Sequence, residues 1–426
     1  MNLNYFKNLD EKDFFSYLIY LFPLLFLFGA GVVNTAQVLI SLYGVYVVFF
    51  IKKKLNIKEK KLYLFFIILF IYLLINTLVN KNFHSLKNTV VFLHLIFFTE
   101  VIIFLLENNR FDIKKLVRFF TLTLLIVVLD TYLQYFTGKN ILGYEIEPNN
   151  KIRLSSFFKN KWVVGAYLSK LFFPIFIIIY ITVKKIRLNF IFYVFFILYG
   201  SIIFLSGERA SFLIFCVNLF LTFIFLNIGK IRRIVFISFA VFFTIILLLT
   251  FFNTKMQNRY IKETVQNTLS INRDFTNNIF NSQYGAIFLA ANIIWKENFY
   301  FGGGIDNYTV QSCNKQYDKI SKQVSFSSNH YTVICSTHPH NYILELLVNS
   351  GIFGFLIFLS FLSSVCYILF RMETYNFISK AFGIQFLSQF FPFMTHGSIF
   401  ASWNSNFIIL SFALFFSYFY YNKKVL

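Results

Sequence analysis

Two short stretches of this sequence carry side chains whose types and spacing could do chemistry. The first is Thr337-His338-Pro339-His340-Asn341-Tyr342-Ile343-Leu344-Glu345, which runs into an apolar segment through Gly351 and Gly354. Pro339 disfavours helix at His338, so a helix should begin at His340 or Asn341. An imidazole at a helix N-terminus feels the positive end of the dipole, which favours its neutral form. Neutral imidazole is what a general base requires. His340 is therefore either a base or, like Asn341, a cap for the helix. A His-x-His metal site is the poorer reading, because no Asp, Glu or Cys cluster stands beside it to complete the coordination; no metal is expected. The second stretch is Ser206-Gly207-Glu208-Arg209-Ala210-Ser211, between two apolar runs. Arg209 needs a partner there, either Glu208 or another carboxylate, or an anionic ligand. A guanidinium offers a planar fork of donors matched to phosphate oxygens.

The elements that must position these residues are membrane spans. Of 426 residues 58% are hydrophobic and 13% charged, against about 25% charged in a soluble domain. Apolar runs lie near 13–30, 33–51, 62–79, 89–106, 116–136, 163–183, 188–206, 210–228, 234–252, 352–370, 377–394 and 404–420. Each is long enough to cross a hydrocarbon core of about 30 Å. The expected fold is all-α and polytopic, with twelve spans. The net charge of +21 does not indicate nucleic acid, because the basic residues punctuate the runs as the positive-inside rule demands. Lys52–Lys54, Lys58, Lys60 and Lys61; Arg110, Lys114, Lys115 and Arg118; Lys184, Lys185 and Arg187; and Lys230, Arg232 and Arg233 all fall on one side. Lys423 and Lys424 join them, so both termini are expected inside. No cleavable signal peptide is apparent.

The other side carries two long segments, near 137–162 and 253–351. The chain is thus divided into spans one to nine within 1–252, a large outer loop at 253–351 and spans ten to twelve within 352–426. Arg153, Arg259 and Arg273 lie in the outer segments and are further candidates for an anion. Gly285–Trp295 is too short to span and should form an amphipathic helix against the bundle. Phe301-Gly302-Gly303-Gly304 reads as an ordinary loop or as a turn whose backbone could approach a ligand closely. Cys313 and Cys335 could pair in an oxidising compartment, a bond that would stabilise the fold by roughly 3 kcal/mol; otherwise they are free thiols. Asp130, His94 and Glu100 fall inside apolar runs, where each could serve function or structural hydrogen bonding.

His340-Asn341, nine residues, Gly351, two residues and Gly354 resemble the signature of the O-antigen ligase and O-antigen polymerase superfamily. The outer loop before that motif and the arginine-bearing turn fit the same family. The resemblance implies a metal-independent, inverting, GT-C-like glycosyltransferase of the bacterial inner membrane, acting at its periplasmic face without a cofactor. Its donor would be a glycan on undecaprenyl diphosphate. His340 would be the base, with Arg209, Arg259, Arg273 and Arg153 around the diphosphate and His338 and Asn341 beside the substrate. The acceptor would be a second lipid-linked glycan in a polymerase or lipid A–core in a ligase, and a chain-length regulator is a candidate partner. Arg153 precedes Gly165, and Arg273 precedes Gly285, with eleven residues between in each case. This resembles the paired arginine–glycine motifs of O-antigen polymerases and favours that acceptor, although two such pairs can arise by chance. A lipid-linked oligosaccharide flippase is the rival of another class; it would concentrate polar sites near the bilayer midplane.

Overall fold

The computed structural model describes residues 10–53, 55, 60–80, 85–146, 153–159, 161–182, 188–226, 229–262, 283–314, 316, 334–372, 376–395, 397–400 and 402–425. These residues form helices, with one isolated bridge between Lys139 and Glu145. In chain order they are α1 (Glu11–Tyr20), α2 (Phe22–Leu27), α3 (Ala30–Tyr46, continued by the wider turns of Val47–Ile51), α4 (Leu62–Val79), α5 (Leu86–Val91), α6 (His94–Glu107), α7 (Ile113–Thr137), α8 (Val164–Thr182), α9 (Leu188–Leu205), α10 (Arg209–Phe225), α11 (Gly229–Phe252), α12 (Thr254–Gln257), α13 (Gln283–Glu297), α14 (Asn307–Ser312), α15 (Tyr342–Arg371), α16 (Phe377–Ser388) and α17 (Ser402–Val425).

Among the described residues five helical stretches are long and apolar enough to cross a membrane: Ala30–Ile51, Leu62–Val79, Asn88–Glu107, Ile113–Thr137 and Tyr342–Arg371. A sixth is added if Phe239–Phe252 and Thr254–Lys262, bent by 102°, count as one span. Val164–Ile179, Val194–Leu205 and Arg209–Phe225 are shorter apolar helices. The protein is therefore an all-α, multi-pass membrane protein. Departures from the expected spans have local causes. The run 13–30 is broken at Leu21, just ahead of Pro23, into α1 and α2. The run 377–394 stops at Ser388, because Pro392 cannot donate a helical hydrogen bond and biases Phe391 away from helix.

The interior is packed with aromatic rings. Phe26 stacks on Phe407 at 4.1 Å and Phe172 on Tyr199 at 3.7 Å. Lipid tails are as apolar as these rings, so helix association rests on close packing and interhelical polar contacts more than on escape from water. The intramembrane polar groups supply such contacts. Glu100 is buried and takes hydrogen bonds from Lys60 and from the Tyr63 hydroxyl at 2.9 Å, with Lys52 3.6 Å away. His94 Nδ1 lies 2.9 Å from Gln37 Nε2. Asp130 accepts from the Ile141 amide at 2.8 Å and from the Ser156 hydroxyl, fastening the segment after α7 to the bundle. All three are hydrogen-bonded within the bundle.

The bundle has two unlike ends. At one, Lys52 pairs with Glu107 at 2.9 Å and Arg110 with Asp13 at 3.3 Å. At the other lie the C-termini of α4, α7 and α9, the N-termini of α8, α10, α15 and α17, and both chemistry-bearing stretches. Here α13 occupies the place expected for an amphipathic helix; Ala286, Ile287, Ala290 and Ala291 are buried with Tyr308 and Val348.

A break in α15 anchors the segment 299–304. Gly351 adopts φ 62° and ψ −169° inside the helix, which releases backbone groups from the ladder. The glycine turn meets them: the amides of Gly303 and Gly304 donate to Val348 O at 3.0 Å and Asn349 O at 2.9 Å. On the far side of the break the Ile352 amide donates to Phe299 O at 2.9 Å. A Cβ on Gly351 would overlap the Tyr300 backbone, and one on Gly302 would overlap Ser350 and Gly351. The close backbone approach expected of the triplet is thus made to a helix of the same chain. Tyr72 and Asn76 of α4 hold the joint, Tyr72 donating to Ser350 O at 2.7 Å and Asn76 to Phe301 O.

Candidate active site

The first cluster is built on the start of α15. Asn341, at φ −144° and ψ 127°, is the N-cap; its Oδ1 accepts from the Ile343 and Leu344 amides at 3.0 and 3.2 Å. Its Nδ2 donates to Pro392 O at 2.8 Å. Both ends of this side chain are therefore engaged in fixing the helix start, and the cap belongs to Asn341. His340 precedes it in a left-handed conformation, φ 54°, which is uncommon outside glycine and marks a backbone held by its surroundings. Its ring meets Tyr284 edge-on at 5.6 Å and lies 4.2 Å from the ring of His338. His338 Nδ1 is 2.9 Å from Thr337 Oγ1, and its carbonyl accepts from the Ser336 hydroxyl at 2.7 Å.

α14 and the residue after it grip this segment from behind. A disulfide joins Cys313 and Cys335. The Tyr308 hydroxyl donates to Ile334 O at 2.9 Å and the Thr309 hydroxyl to Thr337 O at 2.8 Å. α14 thus runs alongside the residues leading into the histidine pair.

The second cluster is the turn between α9 and α10. Glu208 sits at the N-cap of α10, yet its carboxylate serves a different helix: Oε1 accepts from the Gly165 amide at 2.6 Å and Oε2 from the Ala166 amide at 3.1 Å, at the start of α8. Ser211 adds a hydroxyl at 2.8 Å. Burial pushes the Glu208 carboxyl up to about 7, against the opposing pull of those donors and of Arg153. Three arginines from separate segments converge here. Arg209 opens α10. Arg259, only 5% exposed, donates from Nε to Gly207 O at 2.9 Å. Arg153 lays its guanidinium over Trp162, 4.9 Å from the ring centre, while the next residue, Leu154, donates to Ser206 O at 3.3 Å. Arg273 lies outside the described residues.

The loop between α16 and α17 touches the first cluster, and the start of α17 reaches α8. Pro392 holds Asn341, and Glu345, one turn into α15, receives the Ser398 hydroxyl and the Ile399 amide, the latter at 2.9 Å. Asn404, two residues into α17, accepts from the buried ammonium of Lys170 at 2.7 Å. Lys170 belongs to α8, the helix whose start carries Glu208. Sequence reasoning gave Glu345 no role within its stretch and missed Lys170 and this loop. A lysine inside an apolar run was the signal available for Lys170.

The arrangement offers an imidazole at a rigid helix start and a clustered positive charge on a turn at the same end of the bundle. Residues 193–359 match the family model described as O-antigen ligase. The match contains the arginine turn, Arg259, the histidine pair, Gly351 and Gly354. No curated protein matches the chain.

Proposed function

The chain resembles the O-antigen ligase and polymerase superfamily through residues 193–359, and on that premise we propose that it is a surface-polysaccharide polymerase. It transfers a glycan from undecaprenyl diphosphate to a hydroxyl of a second lipid-linked glycan. The reaction is a direct, inverting displacement that uses no metal. The acceptor oxygen bonds to the anomeric carbon as the bond to the diphosphate oxygen breaks, and His340 takes the hydroxyl proton. The electron pair leaves on the diphosphate, whose growing charge the arginine cluster stabilises. Arg209 and Arg259 face that charge, joined by Arg153 and Arg273. The twelve spans expected from the sequence, with both termini inside, would put this site at the periplasmic face of the inner membrane.

The observation that carries the reading is the convergence of Arg153, Arg209 and Arg259 on one turn, at the same end of the bundle as His340. A membrane-anchored diphosphate needs positive charge near the interface, and this is where the chain concentrates it. Arg153 and Gly165 also meet on Glu208, which supports reading them as a working pair and favours the polymerase. The description of the matched family favours the second reading, a ligase that passes the glycan to lipid A–core. Cells lacking the protein decide between them. A polymerase defect leaves lipopolysaccharide capped with a single repeat unit. Core with no repeat, while polymer accumulates on undecaprenyl diphosphate, makes the protein the ligase.

A further inference from the structure

The proposed transfer uses every charge at the arginine turn except one. Glu208 is a carboxylate placed where an anionic diphosphate is to bind. It does not cap its own helix; it spans to α8, holding the Gly165 and Ala166 amides and the Ser211 hydroxyl. Two helix N-termini therefore point toward one carboxylate, and each favours negative charge there. The charged and titratable groups that feel its charge are Arg153 from the segment before α8, Lys170 from α8 and Tyr260 from the segment after α12; Arg209 of α10 adjoins it in sequence, Arg259 donates to the Gly207 carbonyl next to it, and both act on Tyr260. In chemical terms this is the seat of an oxyanion, and the protein fills it with one of its own.

We propose that Glu208 is the built-in counter-anion of the diphosphate seat, and that the seat takes up a proton at Glu208 as the diphosphate binds. This rests on reading the arginines as that seat. When the guanidinium forks turn to phosphate oxygens, Glu208 shares its cations with a second anion of like charge, which raises its affinity for a proton. By linkage, whatever makes protonation easier on binding makes binding tighter when the proton is already present. The sign follows. At low pH Glu208 is neutral and donor binds well; as pH rises through neutrality it ionises and donor affinity falls. Burial already brings the carboxyl to about 7, so a modest further rise falls in the physiological window.

The test uses the full-length protein in detergent and a short-chain polyprenyl diphospho-N-acetylglucosamine, whose diesterified diphosphate keeps its charge across the range. The corresponding polyprenol is the control for tail binding. From about pH 6 to pH 8 the Kd of the wild type is expected to rise about five- to tenfold, one pKa unit of coupling being worth a factor of ten. Glu208→Gln keeps the size and one acceptor oxygen, and should remove that rise. Any other group that titrates over this range does so in both proteins alike, so the difference between the slopes reports Glu208. Equal slopes in wild type and Glu208→Gln overturn the inference. Diphosphate probe bound no better than polyprenol by either protein overturns the seat itself, and the inference with it. Should Glu208→Gln fail to fold, calorimetry of the wild type in buffers of different ionisation enthalpy reads proton uptake directly. Uptake of about half a proton near pH 7 supports the proposal, and none overturns it.

Discussion

A His340→Ala protein is expected to lose transfer by about 10²- to 10⁴-fold, the range for removal of a positioned general base. Donor binding should stay close to wild type, because the arginine turn is built from α8, α9, α10 and the segment after α12. The effect should fall on turnover. Helix α15 starts on the Asn341 cap, so truncating the preceding side chain leaves that start in place. His338→Ala should be milder if His340 alone accepts the proton. The two rings lie 4.2 Å apart, so the double variant would show whether one covers for the other. A His340→Ala protein with near-normal turnover would leave this residue without a part in the chemistry.

Arg209→Lys is expected to cost about 10²- to 10³-fold in turnover, although the charge is kept, because loss of one stabilising donor at a developing anion has that size. An ammonium is a compact point charge and cannot reproduce a two-pronged grip on phosphate oxygens. The neighbouring arginines supply charge of their own but not this fork, since Arg259 also donates from Nε to Gly207 O and Arg153 also lies over Trp162. Turnover of single-repeat substrate by purified Arg209→Lys, compared with wild type, is the measurement. Activity within a few-fold of wild type would show that positive charge alone suffices and that the fork plays no part.

Much of this site could be read from the sequence, and what could not has a consistent cause. α4 runs over Leu62–Val79, the run expected from apolar composition, because an uninterrupted apolar segment with no glycine or proline leaves no other choice. The break before α15 followed from Pro339, and the start at Asn341 from its capping chemistry. Gly351 stood out only by its spacing from His340. The turn at 301–304 stood out by its glycines, but that it is hydrogen-bonded into the helix break at Gly351 no local pattern tells. Glu208 was expected at most to pair with Arg209; its reach to Gly165 joins residues 43 apart in sequence, which no local pattern encodes. Lys170 and Asn404 are 234 apart. Periodicity and capping report on neighbours along the chain, whereas the site is assembled by contacts between distant helix ends. Asp130, His94 and Glu100 stood out in the sequence as polar groups within apolar runs, but their partners on other segments did not.

The central claim, that this protein joins lipid-linked glycans at a metal-free site, is tested most directly by giving purified protein one defined undecaprenyl-diphosphate-linked repeat unit as sole substrate, with and without chelator. The expected result is release of undecaprenyl diphosphate together with lipid-linked product longer by whole repeat units, at a rate that chelator leaves unchanged. Donor recovered intact after prolonged incubation with folded protein, or turnover abolished by chelator, would contradict it.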